Sequence, residues 1–92
     1  NIMKPRITQL LNDKHNPVAN HFVIRDNGTE YLQSYQSIVV KTDETGVTFG
    51  CDWDFSKTTL KHVKSYLNIS CSVKEIRQRI KDGFYNYDPD ML

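Results

Sequence analysis

The densest group of chemistry-bearing residues in this chain lies between Cys51 and His62. Asp52 and Asp54 are paired carboxylates, but one residue apart on a strand they share a face, without the opposed geometry that acid–base work across a bond requires. Asp54 therefore reads as a helix cap and Asp52 as a salt-bridge partner. Ser56, Thr58 and Thr59 have no base in a recognisable arrangement, since His62 follows Thr58 by four residues, a spacing that a helix alone explains. There is no Gly-rich phosphate loop. Cys51 and Cys71 are far apart without CxxC spacing, and His15, His21 and His62 are scattered, so neither a metal site nor a cofactor is expected. The chain reads as no enzyme.

Charge is the stronger signal. Residues 1–56 carry five basic and seven acidic side chains, whereas residues 57–81 carry seven basic ones and a single acid, Glu75. Three aspartates close the chain. At helical period Lys57, Lys61 and Lys64 fall within about 60° of one another, and Lys74, Arg77 and Lys81 repeat the pattern. Such stripes suit phosphates or an acidic protein surface. They also suit a solvated helix face, because lysine is a good helix former and any small amphipathic helix must show a polar side. Tyr31 and Tyr35 occupy one strand face and could stack bases, although no RNA-binding aromatic signature and no helix-turn-helix spacing accompanies them. Trp53, the only tryptophan, reads as a core anchor at a sheet-to-helix corner.

The elements that must position these residues can be read from periodicity and turn chemistry. At 92 residues, with 38% hydrophobic and 25% charged side chains, the chain has the composition of one small globular domain, 1–92. No apolar run approaches the ~20 residues needed to span a bilayer, and no leader pattern precedes Met3, so a cytoplasmic protein is expected, with Asn1 and Ile2 as a cloning remnant. Asn27-Gly28-Thr29 and Asn68-Ile69-Ser70 match the glycosylation pattern by chance.

Pro5 to Asp13 reads as a short helix, with proline at its first position and Ile7, Leu10 and Leu11 at i, i+3, i+4. A loop to Asn20 follows. His21–Arg25 and Glu30–Tyr35 are strands joined through Asp26-Asn27-Gly28-Thr29, the strongest short hairpin signal in the chain. Ser37–Thr42 and Val47–Phe49 are further strands, joined through Asp43-Glu44-Thr45-Gly46. Leu60, Val63 and Leu67 predict a helix over about residues 56–67, capped by Asp54 or Ser56. Ser72-Val73-Lys74-Glu75 is a capping box that opens a second helix, which ends at Gly83. Phe84–Tyr87 offers an edge strand, and Asp88–Leu92 a fraying tail. The fold expected is α+β: an N-terminal helix, a three- to four-stranded antiparallel meander, and two C-terminal amphipathic helices on one face.

The strand Tyr31-Leu32-Gln33-Ser34-Tyr35-Gln36-Ser37-Ile38-Val39-Val40-Lys41, then Trp53-Asp54-Phe55-Ser56-Lys57-Thr58-Thr59-Leu60-Lys61-His62 and the basic helix ending Ile80-Lys81-Asp82-Gly83, resembles a family of short uncharacterised proteins of phages and prophages in Gram-positive bacteria. The resemblance spans about residues 21–87 and departs at Gly50-Cys51-Asp52 and at the acidic tail Asp88-Pro89-Asp90. It implies no catalytic or binding residues. What it implies is a non-enzymatic phage accessory protein in the host cytoplasm, binding a host macromolecule such as a defence or replication factor through the basic helices and nearby aromatics. The alternative is a small nucleic-acid-binding module, with Lys57, Lys61, Lys64, Lys74, Arg77 and Lys81 on phosphates and Tyr31 or Tyr35 stacking.

Overall fold

A computed structural model describes residues 5–91; Asn1, Ile2 and Met3, and with them the expected cloning remnant and start, lie outside the described residues. Six strands form one sheet in sequence order: β1 (Arg6–Leu11), β2 (Pro17–Asp26), β3 (Thr29–Ser34), β4 (Ser37–Asp43), β5 (Gly46–Gly50) and β6 (Asn86–Asp88). Between β5 and β6 run α1 (Lys57–Leu67) and α2 (Val73–Lys81). Neighbouring strands are antiparallel except β5 and β6, which are parallel. A parallel pair needs a crossover, and the two helices supply it.

This overturns the expected architecture at both ends of the sheet. The predicted N-terminal helix is instead β1, paired with β2 from Arg6 opposite Arg25 to Leu11 opposite Pro17. The spacing of Ile7, Leu10 and Leu11 satisfies a helix by coincidence over so short a run, and only Leu10 of the three is buried. β-Branched Ile7 and Thr8 suit the strand, and pairing with the long β2 decides the matter. β6 extends the sheet beyond the expected meander, making it mixed, and takes Asp88 from the segment expected to fray. Strand residues make up 43% of the described chain and helix 23%. Sheet, not helix, is therefore the scaffold.

Local chemistry explains the turns. Asn27 (φ 51°) and Gly28 (φ 86°) are both left-handed, the requirement of a two-residue hairpin whose twist matches its strands. Tyr35 turns β3 into β4 at φ 55°, a conformation that a bulky residue adopts only when held, and its N–H donates to Asn20 O at 2.7 Å. α1 starts at Ser56, whose hydroxyl accepts the Thr59 N–H at 3.1 Å. α2 starts at the Ser72–Glu75 capping box, and its backbone partner holds the Glu75 carboxyl below the usual range.

The core lies between the helices and one sheet face. Val23, Leu32, Val40 and Phe49 are cross-strand partners in one row, all buried, and Val63 and Ile76 close over them from the helices. Trp53, 4% exposed, packs edge-on against Phe49 at 5.2 Å and anchors the corner as expected.

Candidate binding surface

The cations come first. Lys57, at the first position of α1, and Lys61, Lys74 and Lys81 are exposed, and Lys64 is half-buried in the last turn of α1. None of these five has an ion-pair partner among the described residues; Arg77 alone of the six is paired, with Asp54 at 2.7 Å. That bridge corrects the reading of Asp54 as a cap. Glu75, the only acid of the two helices, is committed to its own helix end. Lys61 and Lys64 line a cleft of about 290 Å³ together with His62, Asn68 and the hairpin residues Asn12 and Asp13.

Beneath α1 runs a buried polar seam. His21, 1% exposed, has Nδ1 2.8 Å from Ala19 O, so Nδ1 carries the proton and Nε2 accepts from Ser34 Oγ at 3.0 Å. Ser34 Oγ meets Thr59 Oγ1 at 3.2 Å, which meets Ser56 Oγ at 3.2 Å. Hydroxyl and imidazole thus stand in the relation of nucleophile and base. Ser34 is only 5% exposed and also held by Thr59, however, and the chain of contacts pins α1 to β3. The His62 ring lies 4.5 Å from that of His21, and burial first, with the Lys61 ammonium beside it, pushes the His62 pKa down. At the other end of α1, Tyr66 donates to Glu30 Oε1 at 2.6 Å while Arg25 bonds the second oxygen at 2.7 Å. Burial raises the Glu30 pKa and these two partners outweigh it, leaving it low; burial and the same carboxylate push the Tyr66 pKa up.

A second cleft opens where the β3–β4 turn meets the approach to α1. It encloses about 430 Å³. Val39, Ser34 and Thr59 are its buried lining, Asn20, Ser37 and Asp52 its polar walls, and Tyr35, Gln36 and Phe55 its exposed rim. Asp52 accepts from Ser37 Oγ at 2.7 Å and has no cationic partner among the described residues, contrary to the salt bridge expected of it. Tyr35 is 57% and Phe55 75% exposed. Phe84, at 70%, is as open elsewhere on the molecule; what sets Tyr35 and Phe55 apart is that they share one cleft.

The two predicted stacking residues are separated. Tyr31 is opposite Ile24 and Lys41, on the parity that alternates with buried Leu32, and so faces away from the helices. Tyr35 lies past the end of β3, where the left-handed turn breaks the alternation and brings its ring 5.6 Å from that of His21. Tyr35 thus joins the helix side, and Tyr31 does not.

A profile of a family of unknown function, DUF8033, matches residues 6–83. The chain belongs to that family. The match takes in β1 to β5 and both helices of this DUF8033 protein, leaving β6 outside. No curated protein and no solved structure matches it.

Sequence reasoning about this DUF8033 member passed over Ser34, weighed His21 only as a scattered metal-ligand candidate, and did not single Phe55 out from Trp53, Tyr85 and Tyr87 as aromatics that need not all be core. His21 had a signal: it shares parity with Val23 on an alternating strand and so belongs to the buried face. Nothing local announced that Phe55 and Asp52 would meet Asn20 and Gln36, because that meeting depends on the fold. Among the described residues no group of His, Cys, Asp or Glu is arranged to hold a metal ion, and both cysteines are free. No described helix is long and apolar enough to cross a membrane.

Proposed function

We propose that this is a phage-encoded, non-enzymatic accessory protein that binds a macromolecule of the host cytoplasm, and that the macromolecule is a single-stranded nucleic acid. One observation carries the reading: five lysines of α1 and α2 have no ion-pair partner among the described residues, although Asp13 lines the same cleft as Lys61 and Lys64, and the one acid within the two helices, Glu75, is committed to a helix cap. A face built only for solvation gains from pairing its charges at i, i+4. This one keeps them single, as phosphate contact requires. The open rings of Tyr35 and Phe55 add the base-stacking partners that distinguish single-strand from duplex binders. By covering single-stranded intermediates, such a protein would block a host defence or replication factor that acts on them.

The test is fluorescence polarisation with a labelled single-stranded oligonucleotide across a salt series. Affinity is expected to fall with salt by a slope of about 0.7 per neutralised phosphate, and the K61E/K64E double variant to reduce that slope by about 1.4. A flat salt dependence, or a partner that survives nuclease treatment in pull-down from host lysate, would give the surface to an acidic protein instead.

A further inference from the structure

We propose that the cleft between Tyr35 and Phe55 is a nucleobase pocket; this rests on the single-strand reading and names what the protein holds of each strand. The cleft is about 430 Å³, within the range of small-ligand sites. Two aromatic rings stand at its rim with most of their surface in water. Exposed rings at the rim of one cleft offer faces on which an unstacked base can lie.

The walls then read the base's edge. Asn20 and Gln36 each offer an amide donor and acceptor, whereas the Ser34 and Ser37 hydroxyls are already engaged, by His21 and Thr59 and by Asp52. Asp52 is acceptor-only, with one oxygen engaged by Ser37 and the other without a cationic partner, so it suits the N–H groups that every base carries on its pairing edge. An organic cation is the competing occupant for a carboxylate beside aromatic rings. The position argues against it: the cleft borders the start of α1, whose dipole is positive there, and Lys57 stands two residues beyond Phe55. Those same charges favour a phosphate on the ligand. Base inside and phosphate outside is the polarity of a nucleotide.

The experiment titrates AMP, GMP, CMP and UMP, with ribose 5-phosphate as the base-less control, into the labelled protein while amide shifts are followed by NMR. The nucleotides are expected to move the amides of Tyr35, Gln36, Ser37, Asp52 and Phe55, and the control to leave them in place. F55A and Y35N should each weaken nucleotide binding about tenfold. Asparagine is chosen at Tyr35 because it tolerates the left-handed backbone, so lost binding is not lost folding. Equal movement by ribose 5-phosphate, or unchanged affinity in F55A, overturns the pocket. A second arm compares an oligonucleotide with an abasic strand of equal length. Preference for the normal strand that F55A abolishes supports the pocket on a polymer. Salt-dependent binding of both strands alike overturns the pocket and leaves the single-strand reading standing, whereas nucleotide binding without strand binding keeps the pocket for a free nucleotide and overturns that reading.

Discussion

Two adjacent rows of side chains cross all six strands, and they meet opposite fates. One runs Thr8, Val23, Leu32, Val40, Phe49, Tyr87; the other runs Ile7, Ile24, Tyr31, Lys41, Thr48, Asn86. In the first, the four central residues are buried beneath α1 and α2, three of them completely. In the second, Ile7 is 67% exposed, Ile24, Tyr31 and Lys41 are half-exposed, and Thr48 alone is buried. The strands are the same, but the first row is apolar except for Thr8, whereas the second mixes Ile7, Ile24 and Tyr31 with Lys41, Thr48 and Asn86. The difference in burial comes from the crossover, which lays both helices on a single face and leaves the other without a second layer. Stability therefore belongs to the helix side, where the cleft of about 430 Å³, the polar seam and the lysines also lie, so the recognition proposed above would share that side with the core.

The largest effect expected follows from that asymmetry. Phe49→Ala removes a fully buried ring that Trp53 and Tyr85 pack against, and should cost about 3–5 kcal/mol in urea denaturation. Ile24→Ala, one row over and half-exposed, should cost about 1 kcal/mol. Comparable losses would break the comparison. They would mean that the second row is covered in solution, and a concentration-dependent melting temperature would then identify the cover as another copy of the chain.

A smaller effect separates the rows by pH. His62 is half-buried against His21 on the helix side, and its pKa in the folded protein lies below the unfolded value near 6.5. The neutral ring is thus the one the fold prefers. Its contribution is complete above about pH 6.5 and declines as pH falls through and below that value, because the unfolded chain takes up the proton first. Glu30, also lowered, acts in a separate and more acidic window, where its bonds to Tyr66 and Arg25 are lost on protonation. Thermal melts between about pH 8 and pH 5 should show the upper decline in the native chain and a weaker one in His62→Gln. An identical decline in both would place the titration elsewhere.

How much of this could be read beforehand depended on whether the signal was local. Asn27-Gly28, the Ser72–Glu75 box and the spacing of Leu60, Val63 and Leu67 each carry their own structural instruction, and each was legible. β1 carries none, and at β6 the expected edge strand Phe84–Tyr87 overlaps the observed one only at Asn86 and Tyr87. Arg6–Leu11 is strand because β2 lies beside it, and Asn86–Asp88 is strand because the crossover returns it to β5. Asp54 shows the same limit at the level of one side chain: beside Ser56 it resembles a cap, and only the approach of α2 reveals Arg77 as its partner. The cationic stripes were legible as stripes. That their charges stand single was not, since pairing is settled in three dimensions.

The smallest effect expected is the most discriminating about recognition. Tyr31 and Tyr35 look equivalent along the sequence, four residues apart with the parity of one strand face. The left-handed turn at Tyr35 sends it to the pocket side, whereas Tyr31 stays among Ile24 and Lys41 on the uncovered side. Tyr31→Ala should therefore leave oligonucleotide affinity and its salt slope within about twofold of native, while Tyr35→Asn lowers affinity about tenfold. The unequal response would tie recognition to the helix side alone. If Tyr31→Ala weakened binding as much as Tyr35→Asn, the strand would have to run over the open row as well, and the division of labour between the two faces would fail at the point where it is sharpest.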